Sequence, residues 1–300
     1  MMKSRLSLKN SARAALNSLI LTSLLLLLAG CSSSPTVHTY SIENLAQSIQ
    51  DVSKKEYNLD IKAKLVVDTL WVYMPVEDLL VKSDKPEKYT EKFTIERVES
   101  PPEENGDLKF EYMIKTVEEK EKAQEYKYNK SVLEKNNDVW KVLRRVVFSL
   151  DRSNTQEPKF YCLLTADIKN GFFMKELFYY LDLKKVSYEY ISWGEYQHRV
   201  IQDVNVDLRL RGDKDGDYID YKDITMKEFI TEQILHRIKL KFQRPEVGKN
   251  ADIDKEIIKI IAYTVKTYDF KDFDAVELDN LETKNTIVLN RAALLSKATD

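Results

Sequence analysis

The sequence predicts an α+β fold, with mixed or antiparallel sheets and packed helices, on three observations. Apolar residues recur at helical spacing in several stretches, they alternate strictly in others, and turn signals separate the two kinds. Helix-then-strands also recurs three times, near residues 41–117, 131–190 and 225–290. The spacing is irregular and no residue motif is shared, so the pattern points to repeated helix-plus-strands units without a repeat in the residues themselves.

Ser41 stands as a cap before Ile42, Leu45, Ile49 and Val52, whose spacings of three, four and three predict a first helix. Residues 65–74 form an apolar run broken by Asp68 and Thr69. Its Val, Trp and Tyr residues face both ways, which predicts a central strand covered on both sides and stopped by Pro75. Residues 93–98 and the alternating Leu108, Phe110, Tyr112 and Ile114 flank Pro101, Pro102 and Gly106, the pattern of a hairpin or meander. Residues 118–135 hold ten charged side chains in eighteen and read as a solvated helix or a linker.

Val139, Leu143, Val146 and Leu150, widened by Trp140 and Val147, predict a second helix, and residues 160–168 a buried strand. Asn170-Gly171 is a type I′ turn signal. Residues 172–183 suit either strand or helix. Ser192 and Glu195 are spaced as a capping box before a short helix with Tyr196, His198 and Val200. Val204, Val206, Leu208 and Leu210 alternate as a strand. Thr225 and Glu228 repeat the box spacing before Met226, Phe229, Ile230, Ile234 and Ile238. Residues 253–268 predict a last helix, although their isoleucines also suit a strand, and 275–278 with 287–289 a closing hairpin.

The N-terminus has the parts of a secretory signal. Lys3, Arg5, Lys9 and Arg13 precede an apolar stretch over 19–29 that is shorter than the roughly 20 residues a bilayer span needs. Leu28-Ala29-Gly30-Cys31 closes it and resembles the lipobox of bacterial lipoproteins. That resemblance implies cleavage between Gly30 and Cys31 and acylation of Cys31. Two or three acyl chains then anchor the protein to a lipid bilayer, where one chain would hold it only marginally. It also favours the outer membrane in a diderm cell, because Ser32 stands where inner-membrane lipoproteins of the enteric type carry Asp. The expected organisation is a signal peptide over 1–30, a tether over 31–40, an α+β unit over 41–117, the charged segment 118–135, and one or more α+β units over 136–300.

Without residues 1–30 the chain has 43 basic and 49 acidic residues, a net of −6, which argues against nucleic acid. With Cys31 acylated, only Cys162 remains, so no intramolecular disulfide forms. Its apolar surroundings, 160–164, predict an inert buried thiol. No glycine-rich phosphate loop, G-x-S-x-G elbow or H-E-x-x-H set occurs. His38, His198 and His236 are scattered, and no motif calls for a cofactor.

Asp213, Asp215, Asp217 and Asp223 resemble the oxygen ligands of EF-hand and dockerin calcium loops. The glycine after the third acid is missing, and a polar turn explains the same residues. Nine aromatic residues crowd 172–196. Among them Tyr188, Tyr190 and Tyr196 alternate with polar residues and are the expected exposed, binding set. The anchor, the missing catalytic signatures and these rings point to a non-catalytic binding or assembly module facing an envelope protein or polymer. The alternative is an envelope hydrolase acting on glycan or peptide through a carboxylate pair.

Overall fold

Two sheets share strands from both halves of the chain in the computed structural model, which describes residues 40–102, 106–150, 157–243 and 247–297. Gly30, Cys31, the remaining lipobox and His38 lie outside the described residues. In chain order the elements are α1 (Leu45–Tyr57), β1 (Lys62–Val66), β2 (Thr69–Val76), β3 (Leu80–Glu99), β4 (Leu108–Tyr128) and α2 (Lys130–Phe148). Then come β5 (Phe160–Asp167), β6 (Phe172–Tyr179), α3 (Tyr180–Ser187), α4 (Trp193–Gln197), β7 (Ile201–Val206) and α5 (Met226–Gln243). The chain closes with α6 (Ile253–Thr267), β8 (Ala275–Asn280), β9 (Asn285–Asn290) and α7 (Arg291–Ser296). The fold is α+β with two mixed sheets, ordered β1-β2-β5-β6-β7 and β3-β4-β8-β9.

Parallel pairing of β2 with β5 and of β4 with β8 ties the stretches on either side of residues 118–135 into both sheets. That segment is therefore not a linker between separately folded units. Its first eleven residues are the far half of β4, and its last six open α2. They pair as a strand with β3, and opposite charges meet across the ladder: Lys88 lies 2.7 Å from Glu121 and Lys122 2.6 Å from Glu91. β3 and β4 run 20 and 21 residues, a ribbon roughly 65 Å long at about 3.3 Å per residue.

The run 65–74 is a hairpin, not one strand. Val66 pairs with Thr69 across a turn in which Val67 takes φ +49°. Asp223 fixes that turn, its Oδ1 accepting from the Asp68 amide (3.0 Å) and the Thr69 hydroxyl (2.9 Å). β2 is the expected strand covered on both sides, but Pro75 does not stop it. β1 ends at Lys62 opposite Tyr73, so no neighbour on that side requires a donor from Pro75.

Alternation along β2 and β5 sorts two cores. Leu70, Val72, Met74, Tyr161 and Leu163 pack with α1 and α2, whereas Trp71, Tyr73, Phe160, Cys162 and Leu164 pack with α5, α6 and the second sheet. α1 starts at Leu45, after Asn44 rather than Ser41, and buries Leu45, Ile49 and Val52 as spaced. α5 opens with a reciprocal capping box: Thr225 Oγ1 accepts from Glu228 N (3.2 Å) and Glu228 Oε2 from Thr225 N (2.8 Å). Residues 172–183 are both alternatives in turn, strand to Tyr179 and helix from Tyr180. The turn at Asn170-Gly171 spans four residues, not two, because Asp167 draws the Lys169 and Asn170 amides onto its Oδ1. β7 ends at Val206, and Leu208–Leu210 form a 3₁₀ turn.

Candidate functional site

The exposed rings of the aromatic segment come from the end of α3 and the start of α4. α3 closes with a Schellman pattern, Tyr190 N donating to Lys185 O (2.8 Å) and Glu189 N to Val186 O (3.2 Å). Glu189 takes the left-handed position at φ +61°. The chain reverses there and leaves Tyr188 and Tyr190 facing out, Tyr190 at 81% exposure. Trp193, at 59%, continues the ledge.

Tyr196 corrects the expected set. It is 2% exposed and packs against Trp140 and Trp193, with ring centroids 6.2 and 5.4 Å away. On α4 its neighbours lie three and four residues away, so alternation with polar residues says nothing about its exposure. At its other end the ledge rests on the body through Phe148, 6.3 Å from the Tyr188 ring. The described chain begins beside it, Tyr40 N donating to Ser149 O (3.3 Å).

Behind the ledge lies a charge network that sequence reasoning missed. Arg199, nearly buried, donates to Asp182 Oδ1 through Nη1 (2.7 Å) and to Glu195 Oε1 through Nε (2.9 Å). The Ser192–Glu195 box is only half made for this reason. Ser192 Oγ caps the Glu195 amide (3.1 Å), while the Glu195 carboxylate is drawn to Arg199. The i,i+4 spacing of Glu195 and Arg199 was the available signal. A cleft of about 390 Å³ opens beside this network, lined by Glu195, His198, Arg237, Lys241, Glu256 and Tyr263 among others.

Its two acids do not form an acid–base pair. Burial pushes Glu195 upward, but Arg199 outweighs it and the net pKa is lowered; Glu256 is held by Lys241 at 2.9 Å. Glu176, whose pKa burial raises against the hydrogen bonds from Asn136 and Trp140, does not line the cleft. His236 is buried, and desolvation lowers its pKa. Cys162 is buried as its surroundings indicated, its thiol pushed up to about 12 by desolvation.

The four aspartates have separate employments. Asp213 is buried and caps its own loop, its carboxylate accepting from the amides of Asp215, Gly216, Asp217 and Tyr218 at 2.8–3.3 Å. Asp215 binds Lys62 Nζ at 2.6 Å, Asp217 faces solvent, and Asp223 holds the β1–β2 turn. Among the described residues no group of three or more His, Cys, Asp or Glu side chains is placed to hold a metal ion.

The ribbon is the second exposed feature. Residues 84–89 and 118–127 are exposed throughout, including Tyr89 and Tyr126. β8 pairs with β4 only from Leu108 to Tyr112, and Phe93 and Ile114 beyond it are buried in the core, Phe93 against Phe242 of α5; only the middle of the ribbon is exposed, with an unpaired edge on each strand. No helix among the described residues is long and apolar enough to cross a membrane.

No protein-family model matches the chain, and neither does any curated protein or solved structure. The functional reading therefore rests on its own residues.

Proposed function

We propose that this chain is a cell-envelope lipoprotein, anchored to the bilayer through acylated Cys31, that acts as a non-catalytic binding or assembly module. The observation that supports this is the ribbon. The exposed middle of a two-stranded ribbon gains little from its own burial, and its open edges are the surface on which a partner strand pairs. Its charged side chains keep those edges from pairing indiscriminately. The partner is an envelope protein or polymer, and the outer membrane is the favoured location in a diderm cell.

The test is a crosslinked pull-down from native membranes with three proteins: wild type, Cys31→Ala, and Tyr89→Ser/Tyr126→Ser on the ribbon. Both rings are exposed, so the double variant folds normally. One partner recovered in near-stoichiometric yield with the wild type and lost with the ribbon variant supports the module. Equal recovery with the ribbon variant removes the ribbon as contact surface. Acyl-free Cys31 in the mass spectrum of the wild type refutes the anchor.

A further inference from the structure

We infer that the ledge Tyr188, Tyr190 and Trp193 seats in the headgroup region of the lipid bilayer, so that the domain is held at the membrane at two points. This rests on the anchoring proposed above and adds an orientation to it.

The ledge lies at the end of the domain that the tether reaches. Tyr40 joins the domain at Ser149, one residue from Phe148, and the Phe148 ring is a direct neighbour of Tyr188. From Cys31 to Tyr40 is nine residues, which span at most about 30 Å when fully extended. A domain tethered by this length presents to the membrane the end where Tyr40 joins it, and the ledge is part of that end.

Its side chains also suit a membrane interface. The outward face of α3 carries Leu181, Lys184, Lys185 and Tyr188 at i, i+3, i+4 and i+7. Leu181 and Tyr188 are exposed; Lys184 and Lys185 are half-buried, Lys184 Nζ paired with Glu157 over the Tyr180 ring and Lys185 Nζ 3.7 Å from Asp182. Tyr190 and Trp193 extend the row beyond the helix. An apolar body with a polar tip suits the boundary between headgroups and acyl chains, where Trp and Tyr concentrate. Arg144 and Arg145 in the last turns of α2 add basic charge at the same end, against Glu43, Glu56, Glu157, Glu189 and Glu195, the last held by Arg199. Glu56 and Glu157 are paired with Arg145 and Lys184. Glu189 sits at the solvent-facing tip of the reversal, where hydrated headgroups would accept it.

A protein partner could also cover exposed rings, so the experiment separates the two. The acylated mature protein is reconstituted into vesicles of phosphatidylethanolamine and phosphatidylglycerol. Quenching of its tryptophan emission by lipids brominated near the glycerol backbone is compared with that of Trp193→Phe. Trp71 is buried and Trp140 packs on Phe178, so Trp193 is the ring a shallow bromine reaches. Most of the quenching should disappear in the variant, while both proteins float with the vesicles. Equal quenching in the two overturns the inference. Flotation with no quenching leaves the anchor standing and refutes only the ledge. A chain that does not float refutes the anchor instead, and the same quenching comparison on unanchored protein with vesicles then decides whether the ledge enters the bilayer. Hydroxyl-radical footprinting supplies the remaining arm. If Tyr188, Tyr190 and Trp193 are protected in native envelope vesicles but oxidised in pure lipid vesicles, a protein covers the ledge and the lipid reading falls.

Discussion

Replacing Arg199 with methionine removes one partner of a buried ion pair and leaves the other. Asp182 is 1% exposed, and its Oδ1 receives Arg199 Nη1 at 2.7 Å. Its Oδ2 accepts no hydrogen bond of ordinary geometry, and the one other donor beside it is the buried Tyr268 hydroxyl, a neutral group that does not replace a guanidinium. Lys185 Nζ stands at 3.7 Å, beyond hydrogen-bonding distance and on a side chain 41% exposed, so it offers little replacement. An orphaned buried carboxylate typically costs about 3–5 kcal/mol. At about 2 °C per kcal/mol for a domain of this size, the melting temperature should drop by about 6–10 °C. Glu195, released from Arg199, sits at the cleft and rehydrates, adding little. The double variant Asp182→Leu/Arg199→Met removes both charges and should recover most of the loss, because desolvation of the pair disappears with it. Urea denaturation followed by circular dichroism measures all three. A single variant within about 1 kcal/mol of the wild type, the worth of an exposed pair, would refute the claim that Asp182 depends on Arg199.

Three further outcomes follow from other buried groups. Burial raises the Glu176 pKa above its ordinary 4.5, so as pH rises through that value the unfolded chain loses its proton first and stability falls until the folded carboxyl also ionises. Glu176→Gln keeps an acceptor for Asn136 and should stabilise the protein at neutral pH but not near pH 3; a gain equal at both ends of a melting-temperature titration counts against it. Cys162, its thiol pushed up to about 12, should resist iodoacetamide at pH 8 until urea unfolds the chain, and rapid native labelling detected by mass would contradict its burial. Millimolar calcium should leave the melting temperature unchanged, whereas Asp213→Ala should lose about 2 kcal/mol by stripping four amides of their acceptor; a calcium-induced rise in melting temperature would return the loop to the cation ligands it resembles.

Legibility in the sequence followed the range of the interaction. α1, α2, α5 and α6 were readable because their apolar faces and caps are local: Leu45, Ile49 and Val52 are buried as spaced, and Thr225 and Glu228 make their box. The ribbon was not readable. Residues 118–128 have no apolar period, and what makes them a strand is pairing with β3 some thirty residues earlier. The hairpin at 67–68 escaped for a similar reason, since Asp223, which holds it, is 155 residues from Asp68. The exposure of Tyr188 and Tyr190 was legible because they flank a chain reversal, where alternation with polar residues does track exposure. Tyr196 failed because it belongs to a helical turn. The acids of 213–223 were visible as acids, but their partners, Lys62, Thr69 and their own backbone amides, were not.

The root of the ribbon indicates that it is a held arm and not a loose hairpin. β3 leaves the body at Leu79–Leu80 and β4 returns at Asn129, and the two ends are bound to each other. Asn129 N donates to Leu79 O (2.9 Å), and Asn129 Nδ2 to Asp78 O (3.0 Å). The Leu79 amide is in turn held by Asp167 Oδ2 at 2.8 Å, at the end of the fully buried strand β5. Burial pushes the Asp167 carboxyl upward, but four hydrogen bonds, from Asn170 twice and from the Leu79 and Lys169 amides, carry the net pKa downward and keep the clamp ionised at neutral pH. One carboxylate thus fixes both the base of the ribbon and the β5–β6 loop. A force or a partner acting on the arm therefore meets the core of the first sheet, not a flexible joint. The opposite end of the ribbon is seated as firmly, with Phe93 against Phe242 of α5 at 5.2 Å and Leu108 to Tyr112 paired to β8. Only its middle is free, and that stretch is where the charged residues concentrate. A binding surface held at both ends is pre-ordered, so a partner strand that pairs with its edge loses little of its affinity to fixing the arm.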